Sequence, residues 1–225
     1  TTPAPASRTG LDLSRPAGGS PAARPPARPA TVSRVPASRP SWRRVSPTAD
    51  VHLTASTPTA ALSRVQTGVG FLRAGLLLPD GAPALRLGCA WQHGTPQGPR
   101  QRWTAGGLDR GGRSPVRVHD SPEELDVDLL AVHPLARLLV VAWPERAAHA
   151  GGGLLVVRTE GGSRVDAPVP AAAPGTSTVL LSGYVVDGEL VLRAESRTVP
   201  GGPAQACGAY GYDALRWLDD HQPVP

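Results

Sequence analysis

The stretch that decides the fold begins with Ala84-Leu85-Arg86-Leu87-Gly88-Cys89-Ala90-Trp91-Gln92 and ends with Arg137-Leu138-Leu139-Val140-Val141-Ala142-Trp143-Pro144. The first run is apolar with features of a period of two, which is typical of a partly buried strand. The second run is continuously apolar, which is typical of a strand buried on both faces. Between them lie a glycine-rich loop at residues 106–112 and an acidic segment at residues 120–129. Strand, acidic loop and strand together form the only stretch that predicts an ion or ligand site.

The sequence on either side of this stretch also predicts short strands. Asp187-Gly188 predicts the turn of a hairpin between residues 184–186 and 189–193, because a two-residue type I′ turn favours Asp-Gly. A short helical turn is predicted at residues 215–221, and further strands at residues 69–78, 85–91, 127–132, 138–143, 154–159 and 178–186. Short strands separated by Gly/Pro turns, without a long amphipathic helix, predict an all-β fold, a two-sheet β-sandwich. The side chains predicted to fill the space between the sheets are Leu87, Trp91, Leu139, Val141, Val156, Leu180 and Leu192.

Residues 1–49 differ in composition from the rest of the chain. They contain ten prolines, eight arginines and one acid, for a net charge of +7, whereas residues 50–225 carry 15 arginines and 17 acids, for a net charge of −2. Such a segment cannot bury enough apolar surface to offset its ordering entropy. The sequence therefore predicts a disordered, basic, Pro-rich arm at 1–49, with a possible short edge strand at 10–15, and a folded domain at 50–225. The arm is either a solvated tether or a contact for anionic membrane, nucleic acid or an acidic partner.

Several classes of function have no motif in this sequence. The GxSxG elbow, the Walker A loop and the HExxH motif do not occur, and the six histidines are scattered in or beside loops. The two cysteines, Cys89 and Cys207, lie outside any CxxC pair; we expect buried thiols and leave their pairing open. No apolar run approaches the roughly 18 residues of a membrane span, and no signal-peptide core precedes the domain. A cytoplasmic, non-enzymatic protein is the expectation.

The acidic segment is the candidate metal site. Six carboxylates fall within twenty residues, on Asp109, Asp120, Glu123, Glu124, Asp126 and Asp128. Calcium favours several oxygen ligands gathered from loops, and two aspartates spaced two residues apart on a strand share one face. The EF-hand pattern is not matched. The alternative interpretation is a solvated turn followed by an exposed strand face.

The order of these segments resembles the TerD family, the bacterial tellurium-resistance and stress-response proteins, in a divergent actinobacterial form. The residues that carry the resemblance are the 85–91 strand, the Gly107-Leu108-Asp109-Arg110-Gly111-Gly112 loop, the 124–129 segment and the 137–143 strand. The resemblance implies a β-sandwich that binds calcium and protein partners in a stress-response assembly, with no catalysis and no small-molecule substrate. It places the metal ligands at Asp109, Asp120, Glu124, Asp126 and Asp128.

The sequence departs from the family pattern at this site, because Gly106 and Gly107 stand where acids are usual. Three arginines, at positions 110, 113 and 117, could neutralise the acids without a metal. We therefore expect no bound cofactor or only weakly bound calcium, with Asp109 and Asp126 paired to arginine. The expected function is a TerD-like binding domain with a degenerate calcium site. The alternative is an electrostatic adaptor that contacts anionic membrane or nucleic acid through the 1–49 arm.

Overall fold

A computed structural model describes residues 42–105, 116–118, 123–132, 135–146 and 148–224. The described chain is built mainly from strands. These are β1 Asp50–His52, β2 Thr59–Leu62, β3 Phe71–Leu77, β4 Leu85–Thr95, β5 Gly98–Ala105, β6 Val116–Val118, β7 Glu124–Asp128, β8 Leu135–Pro144, β9 Leu154–Thr159, β10 Arg164–Pro168, β11 Thr176–Val186 and β12 Glu189–Pro200. The helices are α1 Arg64–Thr67 and α2 Pro203–Ala209, and a 3-10 turn spans Leu129–Val132. Neither α1 nor α2 has the length and apolar character that a bilayer-spanning helix requires.

The strands form two six-stranded sheets, which confirms the predicted all-β, two-sheet fold. The first sheet has the order β1-β10-β9-β3-β7-β6, and the second has the order β2-β12-β11-β8-β4-β5. Neighbouring strands are antiparallel except for β1 and β10, which pair in parallel. In the second sheet β5 is the last strand, and it pairs with β4 from Gly88↔Ala105 to Thr95↔Gly98.

The space between the sheets holds the main core. Leu87 and Trp91 on β4, Leu180 on β11 and Leu192 on β12 are buried there, as predicted. Leu125 on β7 of the first sheet belongs to the same cluster. Alternate residues of a strand face opposite sides of the sheet, so the neighbours of Leu125 along β7 point the other way. Burying one such leucine contributes about 1.5–3 kcal/mol relative to leaving it exposed. This core therefore supplies most of the driving force for closing the sandwich.

A second apolar cluster lies on the opposite face of the second sheet. Leu139 and Val141 pack there with Cys207 of α2 and with Tyr212, so the prediction that these two strand residues point between the sheets is wrong. The reason is that β8 is buried on both faces, and a continuously apolar strand carries no alternation from which to read its phase. Val156 is buried but faces away from the inter-sheet core as well, since its neighbours on β9 fill that core.

The predicted hairpin is confirmed. Asp187 and Gly188 both have positive φ, at 51° and 77°, as a type I′ turn requires. Val186 then pairs with Glu189 at the first register position of the β11–β12 hairpin. The strand at Leu154–Thr159 also has its predicted bounds.

Two predicted elements differ from the structure. The strand predicted at 127–132 ends at Asp128, because the Asp128 carboxylate accepts the Leu130 N–H at 2.9 Å and starts a 3-10 turn. The helical turn predicted at 215–221 is instead a loop closed by a bridge between Trp217 and Pro223. Inside it, the Asp219 carboxylate accepts two backbone N–H groups at 2.7 Å, which satisfies the turn without a helix.

The folded part begins before residue 50. Val45 is 3% exposed and belongs to the inter-sheet core. Its N–H donates to the Ala61 carbonyl at 2.9 Å, and the Ala61 N–H donates to the Arg43 carbonyl at 2.8 Å. Residues 43–45, which the composition assigns to the arm, therefore pair with β2. The possible strand at 10–15 lies outside the described residues.

Candidate functional site

The predicted metal site lies partly within the described chain. Asp109 and Asp120 fall outside the described residues, as do Arg110 and Arg113. Glu124, Asp126 and Asp128 alternate along β7 and share the outer face of the first sheet, as their spacing predicts. Asp126 is 9% exposed, whereas Glu124 and Asp128 are half-buried.

Arg73 is the arginine that pairs with Asp126. It lies directly opposite on β3, with Nε 2.9 Å from Oδ1 and Nη2 3.4 Å from Oδ2. The hydrogen bond and the charge of Asp126 raise the pKa of the Arg73 guanidinium, and the charges of Glu124 and Glu160 act in the same direction. An arginine partner for Asp126 was predicted from the sequence, but Arg73 was not among the candidates.

The described acids do not fit a calcium site. Asp126 is already held by a guanidinium, and Asp128 accepts the Leu130 N–H. Among the described residues no group of three or more His, Cys, Asp or Glu side chains converges on one point. Calcium needs several oxygen ligands, and of the five predicted ligands only Glu124, Asp126 and Asp128 lie within the described residues.

A different feature has the shape and charge of a binding site. A cavity of about 800 Å³ lies between strand β5 and the C-terminal residues 214–224, and we call it the β5 groove. Its lining from β5 is Pro99, Arg100, Gln101, Arg102 and Trp103, and its lining from the C-terminal segment includes Leu215, Arg216, Leu218 and Val224. Its volume lies within the range of about 300–1,000 Å³ that is usual for ligand sites.

The pleat of β5 sorts its side chains onto two sides of the groove. Arg100 and Arg102 lie opposite His93 and Trp91 of β4, at the rim of the inter-sheet face. Gln101 points to the other side and ties the C-terminal segment to the sheet. Its Nε2 donates to the Gly211 carbonyl at 3.1 Å, and its Oε1 accepts the Ala214 N–H at 2.9 Å. These bonds set the width of the groove.

Trp103 forms the inner wall of the groove and is backed by two further tryptophans. The Trp103 ring packs edge-on against Trp217 at 5.4 Å between centroids and tilted against Trp143 at 5.9 Å. Trp103 also lies over Gly88, where an added Cβ would come within 3.1 Å of Trp143 and closer still to Trp103. Only glycine at position 88 permits this approach. Trp103 is 9% exposed, and its indole Nε1–H has no hydrogen-bond acceptor among the described residues.

The charge of the groove is positive. Arg100, Arg102 and Arg216 line it and are exposed, and no carboxylate from the described residues lines it. The same two arginines act on His93 of the neighbouring strand. Burial lowers the pKa of the His93 imidazole, and the charges of Arg102 and Arg100 lower it further. Concentrated positive charge beside an aromatic wall favours anionic groups, because guanidinium pairs with carboxylate in two parallel hydrogen bonds.

The two cysteines do not contribute to this groove. Both are free and buried, as expected. Burial raises the pKa of the Cys89 thiol to about 12 and also raises the pKa of the Cys207 thiol. Because the thiolate is the reactive form, both thiols are inert at neutral pH.

The β5 groove was not predicted, because no strand is predicted between residues 91 and 127. The available signal was the alternation Arg100-Gln101-Arg102-Trp103-Thr104, which has the period of a strand. Pro99 and the arginines weaken that signal, and the other wall is formed by residues more than one hundred positions later. Comparison of the chain with protein-family models, curated proteins and solved structures finds no match.

Proposed function

We propose that this chain is a non-enzymatic, TerD-like binding domain that holds a negatively charged partner in the β5 groove. The observation that carries the proposal is the set of three exposed arginines in a groove without a described carboxylate. The two-sheet sandwich is the fold that the resemblance in sequence implies.

The chemistry of the groove favours binding over catalysis. Guanidinium stays protonated at any physiological pH, so it cannot act as a general base or a nucleophile. It can orient an anion, and the tryptophan wall adds apolar contact that excludes water from the pair. We propose that the partner is a protein of a cytoplasmic stress-response assembly, that no small-molecule substrate is turned over, and that the role needs no tightly bound calcium.

A titration of intrinsic tryptophan fluorescence tests this proposal, because Trp103 lines the groove and packs against Trp217. The probe is a 12-residue Glu/Ser peptide, added to the full chain at low and at physiological salt. We expect saturable binding that weakens with salt and that falls at least tenfold in the Arg100→Gln/Arg102→Gln variant.

The matched control removes two charges elsewhere. Arg43 and Arg158 are exposed, and they lie at the far edge of the second sheet and on the first sheet. The Arg43→Gln/Arg158→Gln variant should bind the peptide as the wild type does. Equal losses in both double variants would mean that only net charge matters, and the groove would lose its role.

A second candidate function rests on the charge of residues 1–49. Eight arginines against one acid give this segment +7, whereas the remainder carries −2. We propose as the alternative that the arm contacts anionic membrane or nucleic acid. Vesicles with and without anionic lipid, and a DNA duplex, test it: binding should fall steeply with salt and disappear when the arm arginines are replaced by glutamine. Salt-independent binding would exclude this alternative.

A further inference from the structure

The geometry points to a specific occupant of the β5 groove: we infer that an extended acidic segment of a partner protein adds to the free edge of β5 as a further strand. This inference rests on the proposed function and narrows it from any anion to one backbone conformation and one side-chain pattern.

Within the described residues, one edge of β5 has no neighbouring strand. Strand β5 is the last strand of the second sheet there, and its eight residues pair with β4 alone. No backbone hydrogen bond joins Gly98–Ala105 to any other part of the described chain. A strand in this position presents a row of unpaired N–H and C=O groups, which is the template used in peptide recognition by strand addition.

The groove borders the edge of β5 that is not paired with β4, rather than one face of the strand. Successive side chains of a strand point to opposite faces, so a cavity over one face would touch every second residue. The β5 groove touches five consecutive residues, 99 to 103. Such a lining places the open side of the backbone next to the cavity.

The two walls of the groove determine the side-chain pattern that the occupant must have. Arg100 and Arg102 lie on one side of the edge, while Leu218 and Val224 lie along the C-terminal wall with exposed fractions of 67% and 43%. A strand laid between them meets arginine with every second side chain and apolar surface with the others. The matching segment alternates acidic and apolar residues over about five positions.

Charge excludes the two other available occupants. Arginine on an edge strand normally prevents self-association, and two copies paired through β5 would set arginine against arginine. Residues 10–15 of this chain alternate apolar and polar side chains, but they offer one acid and one arginine within the +7 arm. An acidic partner is the occupant that the groove complements.

The test uses the full chain and three synthetic peptides, each labelled for fluorescence anisotropy. The first alternates Glu with Val or Leu over seven residues, the second has the same composition in a scrambled order, and the third carries N-methyl groups on alternate backbone amides of the first. We expect the alternating peptide to bind at least tenfold more tightly than either of the others. Its binding should also slow amide hydrogen exchange at residues 100–103.

The outcomes separate this inference from the proposed function. If all three peptides bind equally and the Arg100→Gln/Arg102→Gln variant loses them all, strand addition is overturned while the anionic groove stands. If none of the peptides binds at any salt concentration, both the strand-addition inference and the proposed function are wrong. If the alternating peptide binds only to a Leu11→Ser/Leu13→Ser variant, the chain's own segment fills the groove and the partner inference is wrong.

Discussion

Arg73 and Asp126 face each other across the β3–β7 pair, with the guanidinium Nε 2.9 Å from the carboxylate Oδ1. The Arg73 side chain is 53% exposed, whereas the Asp126 side chain is 13% exposed. The arginine therefore covers the acid and neutralises it from the solvent side. The acidic outer face of β7 is therefore neutralised at Asp126 by an arginine that lies 53 residues earlier in the chain.

We expect Arg73→Gln to lower the free energy of unfolding only slightly, because exposed ion pairs contribute little to stability. A double-mutant cycle with Asp126→Asn, measured by urea unfolding, isolates the pair from other effects of each substitution. The double variant should be destabilised by less than the sum of the two single variants. Strict additivity would show that the pair contributes nothing.

Calcium should leave the melting temperature of the metal-free protein nearly unchanged, since Asp126 is already paired with Arg73. Calorimetric titration of the full chain measures calcium binding, which is what would raise the melting temperature. A tight isotherm that is lost in Asp109→Ala would contradict the degenerate site. In that case the ligands would come from the part of the acidic segment outside the described residues.

The parts of the fold that were predicted correctly depend on local chemistry. Asp187-Gly188 encodes its own turn, and the run at Leu154–Thr159 has turn residues at both ends. The phase of β8 was not predicted, because Leu139 and Val140 are buried on opposite faces and the run from Leu138 to Pro144 is apolar throughout. Its orientation depends on α2, which lies more than sixty residues further along the chain.

In the candidate site too, the features that depend on local sequence were predicted, and those that depend on distant contacts were not. The shared face of Asp126 and Asp128 followed from strand spacing alone. The partner of Asp126 did not, because it depends on the register between β3 and β7. The β5 groove depends on how residues 214–224 fold back over Trp103, and no local pattern at either wall indicates that contact.

Leu139→Ala should lower the free energy of unfolding by about 2–5 kcal/mol, although the side chain lies outside the inter-sheet core. Leu139 is 1% exposed beneath the α2 cluster, so the substitution removes buried methyl groups and leaves a cavity. Urea unfolding with Leu130→Ala as control checks this, since Leu130 is 69% exposed. A Leu139→Ala cost below half a kilocalorie would place that side chain at the surface.

Truncation should separate the arm from the folded domain at about residue 42. Composition predicts that residues 1–49 contribute no core, but Val45 is buried, so only the removal of residues 1–41 should leave the melting temperature nearly unchanged. Removing residues 1–49 should lower it by several degrees, because the buried Val45 is lost together with the backbone hydrogen bonds that Val45 and Arg43 make with Ala61. Differential scanning calorimetry of both truncations decides this. A loss of several degrees from the shorter truncation would indicate that Leu11 and Leu13 form a strand of the domain.

Alkaline pH should destabilise the protein through its buried thiols. Burial raises the pKa of Cys89 from 9.0 to about 12, so between those values the folded chain keeps a proton that the unfolded chain releases. The stabilisation is complete below pH 9 and is lost as pH rises toward 12, since stability falls wherever the native state binds more protons. Each pH unit in that window costs about 1.4 kcal/mol for a thiol that ionises only in the unfolded state.

Urea unfolding of wild type and Cys89→Ala at pH 8 and at pH 10.5 measures this contribution. Cys89→Ala removes the titrating group, so its stability should decline less with pH than that of the wild type, by about 2 kcal/mol over the interval. Cys207 and Tyr212, whose pKa values burial also raises, remain in both proteins, and they enter the comparison only through the charge of Cys89, which raises both pKa values further. Parallel pH dependences would mean that water reaches Cys89 in the folded state, and the packing of β4 against β8 would then be looser than its register implies.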